Sequence, residues 1–107
     1  MYVTKRLGVI GAEIDGLDLE KNDDAMYAQI DSLLMEHQVL FFRDQDISCE
    51  EQINLAKKFG PLERHVYVKG LKDHPEILRI IKGAEEKHQW GETWHTDVSY
   101  NPKPTKV

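Results

Sequence analysis

Residues 39–45, VLFFRDQ, decide the predicted fold, because they open on four apolar residues with no period and then become polar and charged. A short apolar run of this kind, lying between two helical patterns, is typical of a strand that is buried on both faces of a sheet. Val39–Phe42 is therefore predicted to be such a strand.

A helix is predicted upstream of this strand. Asn22 to Asp24 offer N-caps for a helix that runs to about His37. Its apolar face repeats at steps of three and four residues and consists of Met26, Ile30, Leu33, Leu34 and His37. We interpret His37 as a structural residue, because it belongs to that inner face.

A second helix is predicted downstream of the strand. Ser48 is followed three residues later by Glu51, which is the pattern of a capping box. The dipeptide Gly60-Pro61 ends this helix. Its buried side is predicted to contain Ile53, Ala56 and Phe59.

The remaining segments predict strands and loops. Residues 3–10 are predicted to form a strand that leads into a turn and a second short strand within residues 11–16. Glu76–Ile81 is predicted to be another strand. Residues 82–93 are polar and punctuated by glycine, which predicts a loop. Residues 105–107 have the composition of a strand that stops at its start, so we expect the chain to be truncated.

The composition indicates a soluble globular chain that forms one domain, residues 1–107. Apolar residues make up 40% and charged residues 31%, with a formal charge of −5. Because no basic stripe exists, we expect no nucleic-acid partner. No apolar run approaches the roughly 20 residues that cross a bilayer, so we expect no membrane span. Cys49 is the only cysteine, which excludes an internal disulfide and fits the reducing cytoplasm.

The segment Trp94-His95-Thr96-Asp97 points to metal chemistry. In an extended backbone, residues two apart point to the same face, so His95 and Asp97 can offer an imidazole nitrogen and a carboxylate oxygen to one metal ion. Two histidines and one carboxylate on one face of a metal are typical of non-haem Fe(II) oxygenases. The spacing alone is a weak signal, since a surface histidine near an aspartate in a loop has the same pattern.

Several stretches, in this order, resemble the taurine dioxygenase family of 2-oxoglutarate-dependent oxygenases. They are GAEIDGLDL at residues 11–19, HQVLFFRDQ at 37–45 followed by Ile47-Ser48, FGPL at 59–62, and WHTDVSY at 94–100 with a proline shortly after. The resemblance covers nearly the whole chain. Any one match is weak, but four in register are a strong signal.

The resemblance implies an α+β fold that is part of a double-stranded β-helix, or jelly roll, with two helices packed on one sheet. His95 and Asp97 match the first two iron ligands of the family. The family's second histidine ligand and the arginine that binds 2-oxoglutarate lie far downstream, beyond residue 107. The chain taken alone is therefore expected to be inactive.

The same resemblance implies substrate contacts. His65 follows FGPL where taurine dioxygenases place a histidine that contacts the sulfonate, with a plain loop residue as the alternative. Tyr67 corresponds to a nearby substrate tyrosine through a gap in the alignment, and Val98 is also assigned to the substrate pocket. Gly91 stands where the family has an asparagine that helps to bind the amine of taurine, which argues against taurine itself.

The expected function is that of an Fe(II)- and 2-oxoglutarate-dependent dioxygenase. It would hydroxylate a small, anionic organic substrate with O₂ and release succinate and CO₂. Two alternatives stay open: a non-catalytic fragment or pseudoenzyme with an incomplete metal site, and a small interaction module that forms a homo-oligomer through an exposed sheet edge. Trp94 and Tyr100 flank the ligands, and we expect them to pack in the core rather than stack on substrate.

Overall fold

The computed structural model describes residues 2–21, 23–88 and 91–104. Its elements, in chain order, are β1 Tyr2–Arg6, β2 Ala12–Asp15, α1 Asp24–His37, β3 Leu40–Phe42 and α2 Cys49–Phe59. This composition of helices and strands confirms the α+β class. The chain forms two compact units, Met1–Lys58 and Phe59–Val107. A single domain over residues 1–107 and a partial jelly roll stay predictions.

Strand β2 lies in the middle of the sheet. It pairs antiparallel with β1, with Ala12 opposite Arg6, which confirms the predicted strand, turn and second strand. It pairs in parallel with β3, with Ile14 opposite Phe42. Parallel neighbours need a crossover connection, and α1 supplies it.

Strand β3 is half-buried, so the prediction that it is buried on both faces is wrong. Phe41 keeps 40% of its surface exposed, and Leu40 and Phe42 are intermediate. The reason is its position at the outside of the order β1-β2-β3, where one side has no neighbouring strand among the described residues. The Arg43 guanidinium lies 5.8 Å from the centre of the Phe41 ring and covers part of it.

An ion pair ties the end of β3 to β2. Nη2 of Arg43 lies 2.8 Å from Oε1 of Glu13, and Nε lies 3.3 Å from the same oxygen. The hydrogen bond from Arg43 lowers the pKa of the Glu13 carboxyl against the opposing effect of desolvation, and the charges of Arg43 and Lys5 also lower it. The carboxylate form of Glu13 is therefore favoured in the folded state.

Helix α1 has a defined cap at each end, and the N-terminal cap lies within the predicted residues 22–24. The Asp23 side chain accepts a hydrogen bond from the Met26 amide at 2.7 Å, which satisfies one of the unpaired donors of the first turn. At the other end, Gln38 adopts a φ of 67° and its amide donates to the Leu34 carbonyl at 2.7 Å. The helix therefore ends at His37, where the sequence placed it.

The core of the first unit lies between α1 and the sheet. Its buried apolar residues are Ala12, Ile14, Leu19, Met26 and Ile30. His37 is also buried, which confirms its place on the inner face of α1. Leu33 and Leu34 are half-buried. Loss of a core side chain such as Ile30 to alanine would cost about 2–5 kcal/mol.

Helix α2 begins with the predicted capping box. The Ser48 amide donates to Oε2 of Glu51 at 2.6 Å, and the Glu51 amide donates to Oγ of Ser48 at 3.2 Å. The side of α2 that the sequence predicted to be buried is only half-buried, and none of the described residues of this helix is fully buried. The core of the unit is made mainly by residues of β2 and α1. Helix α2 contributes a half-buried face and an ion pair between Lys58 and Asp24.

The second unit contains no helix or strand in its described residues after Phe59, so the predicted strand at 76–81 is wrong. The Ile77 amide donates to the His74 carbonyl at 3.0 Å, and the Leu71 amide donates to the Ile77 carbonyl at 2.9 Å. These bonds close a turn instead. A strand needs a neighbouring strand along its length, and no described strand pairs with residues 76–81.

The loop predicted at 82–93 is confirmed for its described part. The strand start predicted at 105–107 lies outside the described residues. Among the described residues, no helix is long and apolar enough to cross a membrane.

Candidate metal centre

His95 and Asp97 come together in the second unit. Nε2 of His95 lies 3.1 Å from Oδ1 of Asp97, which confirms that side chains two residues apart share a face here. A turn follows directly: Val98 has a φ of 42°, and the Asn101 amide donates to the Val98 carbonyl at 3.0 Å. The pair therefore stands at the entrance of a tight turn.

A backbone contact indicates which nitrogen of His95 is left to bind a metal ion. Nδ1 lies 2.6 Å from the Thr93 carbonyl oxygen, which can only accept a hydrogen bond. Nδ1 therefore donates to this carbonyl, and in the neutral form of the ring the lone pair would lie on Nε2, the nitrogen that faces Asp97. Metal-bound histidines are commonly oriented in this way, by donating their second nitrogen to a carbonyl.

The two donor atoms fit one metal ion. Bonds of about 2.1 Å at right angles place two ligand atoms about 3.0 Å apart, and the observed separation is 3.1 Å. An imidazole nitrogen and a carboxylate oxygen are also the donor types of non-haem iron sites. Within the described ranges, no group of three or more His, Cys, Asp or Glu side chains is arranged to hold a metal. The described residues thus supply two donors.

Both donors are open to solvent, and so are their aromatic neighbours. The side chain of His95 is 51% exposed and that of Asp97 is 85% exposed. Trp94 and Tyr100 are exposed as well, so the prediction that they pack in a core beneath the ligands is wrong. The second unit has no fully buried residue among those described, which leaves no core for these rings to enter.

A pocket of about 460 Å³ contains the two donors. It also contains His65 and Val98, two of the three residues assigned to substrate binding from the sequence. Tyr67 does not line it; its ring lies 6.0 Å from the His65 ring and is largely exposed. The other lining residues are Glu63, Arg64, Val66, Glu76, Leu78, Thr96, Tyr100 and Asn101.

His65 is held by two backbone donors. Its Nδ1 accepts hydrogen bonds from the amides of Tyr67 at 3.1 Å and Val68 at 3.2 Å. Because Nδ1 is an acceptor, the neutral ring carries its proton on Nε2. An N–H donor of this kind suits an anionic group.

Four charged or polar residues of the pocket were not identified from the sequence. Asn101 donates from Nδ2 to Oε2 of Glu63 at 3.3 Å. Arg64 places Nη2 3.9 Å from Oε1 of Glu76, which is an ion pair beyond hydrogen-bonding distance. The only sequence signal for Arg64 was its place beside His65. Glu76 stood in a segment that the sequence predicted to be a strand.

Gly91 lies next to the His95 ring and has a φ of 71°. This backbone conformation favours glycine, so the absence of a side chain at this position has a backbone reason. The position is the one where the resemblance implies an asparagine.

The other histidines stand apart from this pocket. His88 is exposed, and its Nδ1 lies 3.0 Å from Oε1 of Glu92. His74 is half-buried, and its carbonyl closes the turn at Ile77. Neither lines the pocket that contains His95.

Several curated relatives match most of this chain. The chain is 34% identical over 102 residues to an alkylsulfatase of Acinetobacter baylyi, covering 94% of this chain and 31% of the relative. It is 36% identical over 95 residues to an alpha-ketoglutarate-dependent sulfate ester dioxygenase of Pseudomonas putida, covering 87% and 31%. It is 29% identical over 106 residues to an (S)-phenoxypropionate/alpha-ketoglutarate-dioxygenase of Sphingobium herbicidovorans, covering 90% and 34%.

A solved structure is similar as well. The structure, from Burkholderia xenovorans, is assigned to the alpha-ketoglutarate-dependent taurine dioxygenases. It matches with a TM-score of 0.61 and 33% identity over 69% of this chain and 27% of that chain. The chain spans about a third of the length of the curated relatives that it matches.

These similarities define the class as that of the 2-oxoglutarate-dependent dioxygenases. Residues 3–107 match the family described as "Taurine catabolism dioxygenase TauD, TfdA family". The chain belongs to the TauD/TfdA family.

Proposed function

We propose that the protein to which this chain belongs is an Fe(II)- and 2-oxoglutarate-dependent dioxygenase that hydroxylates a small organic anion. His95 and Asp97 are its first two iron ligands. The third ligand and the arginine for 2-oxoglutarate would be supplied by residues outside 1–107. O₂ and 2-oxoglutarate are consumed with the substrate, and the alcohol, succinate and CO₂ are released.

The observation that carries this proposal is the separation of 3.1 Å between Nε2 of His95 and Oδ1 of Asp97. It is supported by the contact of Nδ1 with the Thr93 carbonyl, which leaves Nε2 as the ligating atom. The family membership supports the general kind of reaction.

Five residues of the pocket have a proposed role. Bound iron would supply the activation of O₂ with 2-oxoglutarate as co-substrate. Asp97 contributes a negative charge that partly balances the metal, and His95 contributes a neutral donor. His65 binds the anionic group of the substrate through Nε2–H, while Val98 and Leu78 form an apolar wall for its carbon skeleton. Tyr67 lies outside the pocket, so we no longer assign it a substrate contact.

An anaerobic titration with Fe(II) and 2-oxoglutarate tests the metal site. We expect the visible charge-transfer band of iron-chelated 2-oxoglutarate, and we expect His95→Ala to abolish it. His88→Ala is the matched control, because His88 is an exposed histidine of the same unit outside the pocket. A band that survives in His95→Ala would remove His95 from the ligand set.

A second candidate is a non-catalytic chain with an incomplete metal site. It is favoured by the finding that the described residues offer two donors rather than three. The same titration separates the two candidates when it is repeated on a longer version that extends past residue 107. A band in the longer version alone supports the enzyme, and no band in either version supports the non-catalytic chain.

A further inference from the structure

Two hydroxyl groups bracket Asp97. Oγ1 of Thr96 lies 2.5 Å from Oγ of Ser99, which is at the short end of the range for a hydrogen bond between two oxygens. Asp97 and Val98 are the two residues between them. The bond therefore closes the backbone around Asp97 into a ring, and it restricts the φ and ψ angles of the residue that carries the carboxylate.

Val98 adopts a backbone conformation that needs such a restraint. Its φ of 42° lies in the left-handed region, which a β-branched residue strongly disfavours. Strained residues of this kind persist where the surrounding contacts hold them. The bond between Thr96 and Ser99 spans Val98, and the Asn101 amide donates to the Val98 carbonyl at 3.0 Å. These two bonds hold the strained residue in place.

The far end of the turn is fixed by a separate contact. Asn101 also donates from Nδ2 to Oε2 of Glu63 at 3.3 Å, which ties the turn to a segment 38 positions away along the chain. The entrance of the turn has more freedom, since the Asp97 side chain is 85% exposed where it meets His95. A restraint on Asp97 therefore matters most at this end.

From these contacts we infer that Thr96 and Ser99 are positioning residues of the metal centre, whose hydroxyl bond holds the Asp97 carboxylate beside Nε2 of His95 before a metal ion binds. Neither hydroxyl is a ligand. The inference rests on the proposed function, because it takes His95 and Asp97 as the ligands. A donor that is already in place binds a metal without losing the rotamer freedom of a mobile carboxylate.

The rotamer of Asp97 in the metal-free full chain tests the positioning directly. Three-bond NMR couplings between its Hα and Hβ protons distinguish one fixed rotamer from an average over the three staggered ones. We expect a fixed rotamer in the parent and in Thr96→Ser, which keeps the hydroxyl. We expect averaged couplings in Thr96→Val, which replaces the hydroxyl by a methyl group, and in Ser99→Ala. Averaged couplings in the parent, or a fixed rotamer in both of these variants, would overturn the inference.

A Co(II) titration followed by absorption measures the consequence for the metal. We expect Thr96→Val and Ser99→Ala each to weaken binding about fivefold, as loss of one hydrogen bond does. The double variant should also lose about fivefold rather than roughly 25-fold, because both substitutions remove the same bond. Thr93→Val is the matched control and should bind like the parent, since valine keeps the carbonyl that orients His95.

Losses that multiply in the double variant would show that the hydroxyls act separately and would overturn the inference. Asp97→Ala distinguishes the two levels of the argument. If Asp97→Ala binds Co(II) as tightly as the parent, the ligand role in the proposed function fails. If Asp97→Ala loses Co(II) while Thr96→Val and Ser99→Ala bind it like the parent, the positioning role alone fails.

Discussion

Gly91 lies against the imidazole of His95: a Cβ atom on Gly91 would come within 3.4 Å of Cε1 and 3.9 Å of Nε2. The position therefore leaves room beside the atom that we propose as a ligand. A single Cβ would make ordinary contact, but a branched side chain would reach the ring.

We expect Gly91→Val to weaken metal binding by about tenfold. Its γ-carbons press on the ring, and a β-branched residue at a φ of 71° is strained by about 1–2 kcal/mol or more. A Co(II) titration followed by absorption measures the effect. Gly83→Val is the control, because Gly83 lies in a loop of the same unit, where the nearest atom to a Cβ is Oε1 of Glu86 at 4.0 Å. Unchanged Co(II) affinity in Gly91→Val would contradict the assignment of the His95 ring as a metal ligand.

Asp97→Ala is expected to abolish metal binding with little effect on folding. The Asp97 side chain is 85% exposed, so its removal leaves no buried cavity. Calorimetric titration with Fe(II), together with the urea midpoint, separates the two effects. A mutant that binds Fe(II) as tightly as the parent would show that Asp97 is no ligand.

Metal affinity should also fall in acid. The imidazole must be unprotonated at Nε2 and the carboxylate must be ionised to bind a cation, so protons compete with the metal. We expect the dissociation constant for Fe(II) to rise between pH 7 and pH 5. An affinity that stays constant over this range would argue against a histidine and a carboxylate as the donors.

Glu13 should make the folded state of the first unit sensitive to acid. Its hydrogen bond with Arg43 lowers the pKa of the folded carboxyl, so the unfolded chain binds the proton more readily. The stabilisation is therefore present above the unfolded pKa and is lost as the pH falls through the lower, folded pKa. Glu13→Gln should show a smaller decrease in its urea midpoint than the parent from about pH 5 downwards. Glu20→Gln, an exposed carboxylate in a turn of the same unit, is the comparison that should behave like the parent.

The capping box of α2 should make a measurable contribution to stability. Ser48→Ala removes the oxygen that accepts from the Glu51 amide, and we expect it to lower the free energy of unfolding by about 1 kcal/mol. Ser48→Asp keeps an acceptor and should retain most of that energy. Urea denaturation followed by circular dichroism measures both variants. Equal losses in the two would show that the cap is not the cause.

The sequence predicted what depends on local chemistry. Asp23 and Ser48 mark helix starts through their own side chains, and the two-residue spacing brings His95 and Asp97 to one face. The sequence-based predictions were wrong where the structure depends on residues that are distant along the chain. The exposure of Phe41 depends on which strands flank β3, and the turn at His74 replaces a strand because no described strand pairs there.

In the candidate site as well, local features were predicted from the sequence and contacts between distant residues were not. His65 was identified through its motif, whereas the ion pair between Arg64 and Glu76 joins residues twelve positions apart in irregular backbone. No periodic pattern links such positions, so only the folded chain reveals that they meet.

The parallel pairing of β2 with β3 sets an order on how the first unit assembles. Ala12 and Leu40 are neighbours in the sheet, yet the whole of α1 separates them along the chain. Their hydrogen bonds can form only after that intervening segment has shortened, which helix formation achieves within about a microsecond. The hairpin of β1 and β2 is local and needs no such step. The pairing of β3 with β2 is therefore the later and slower step in the assembly of this sheet.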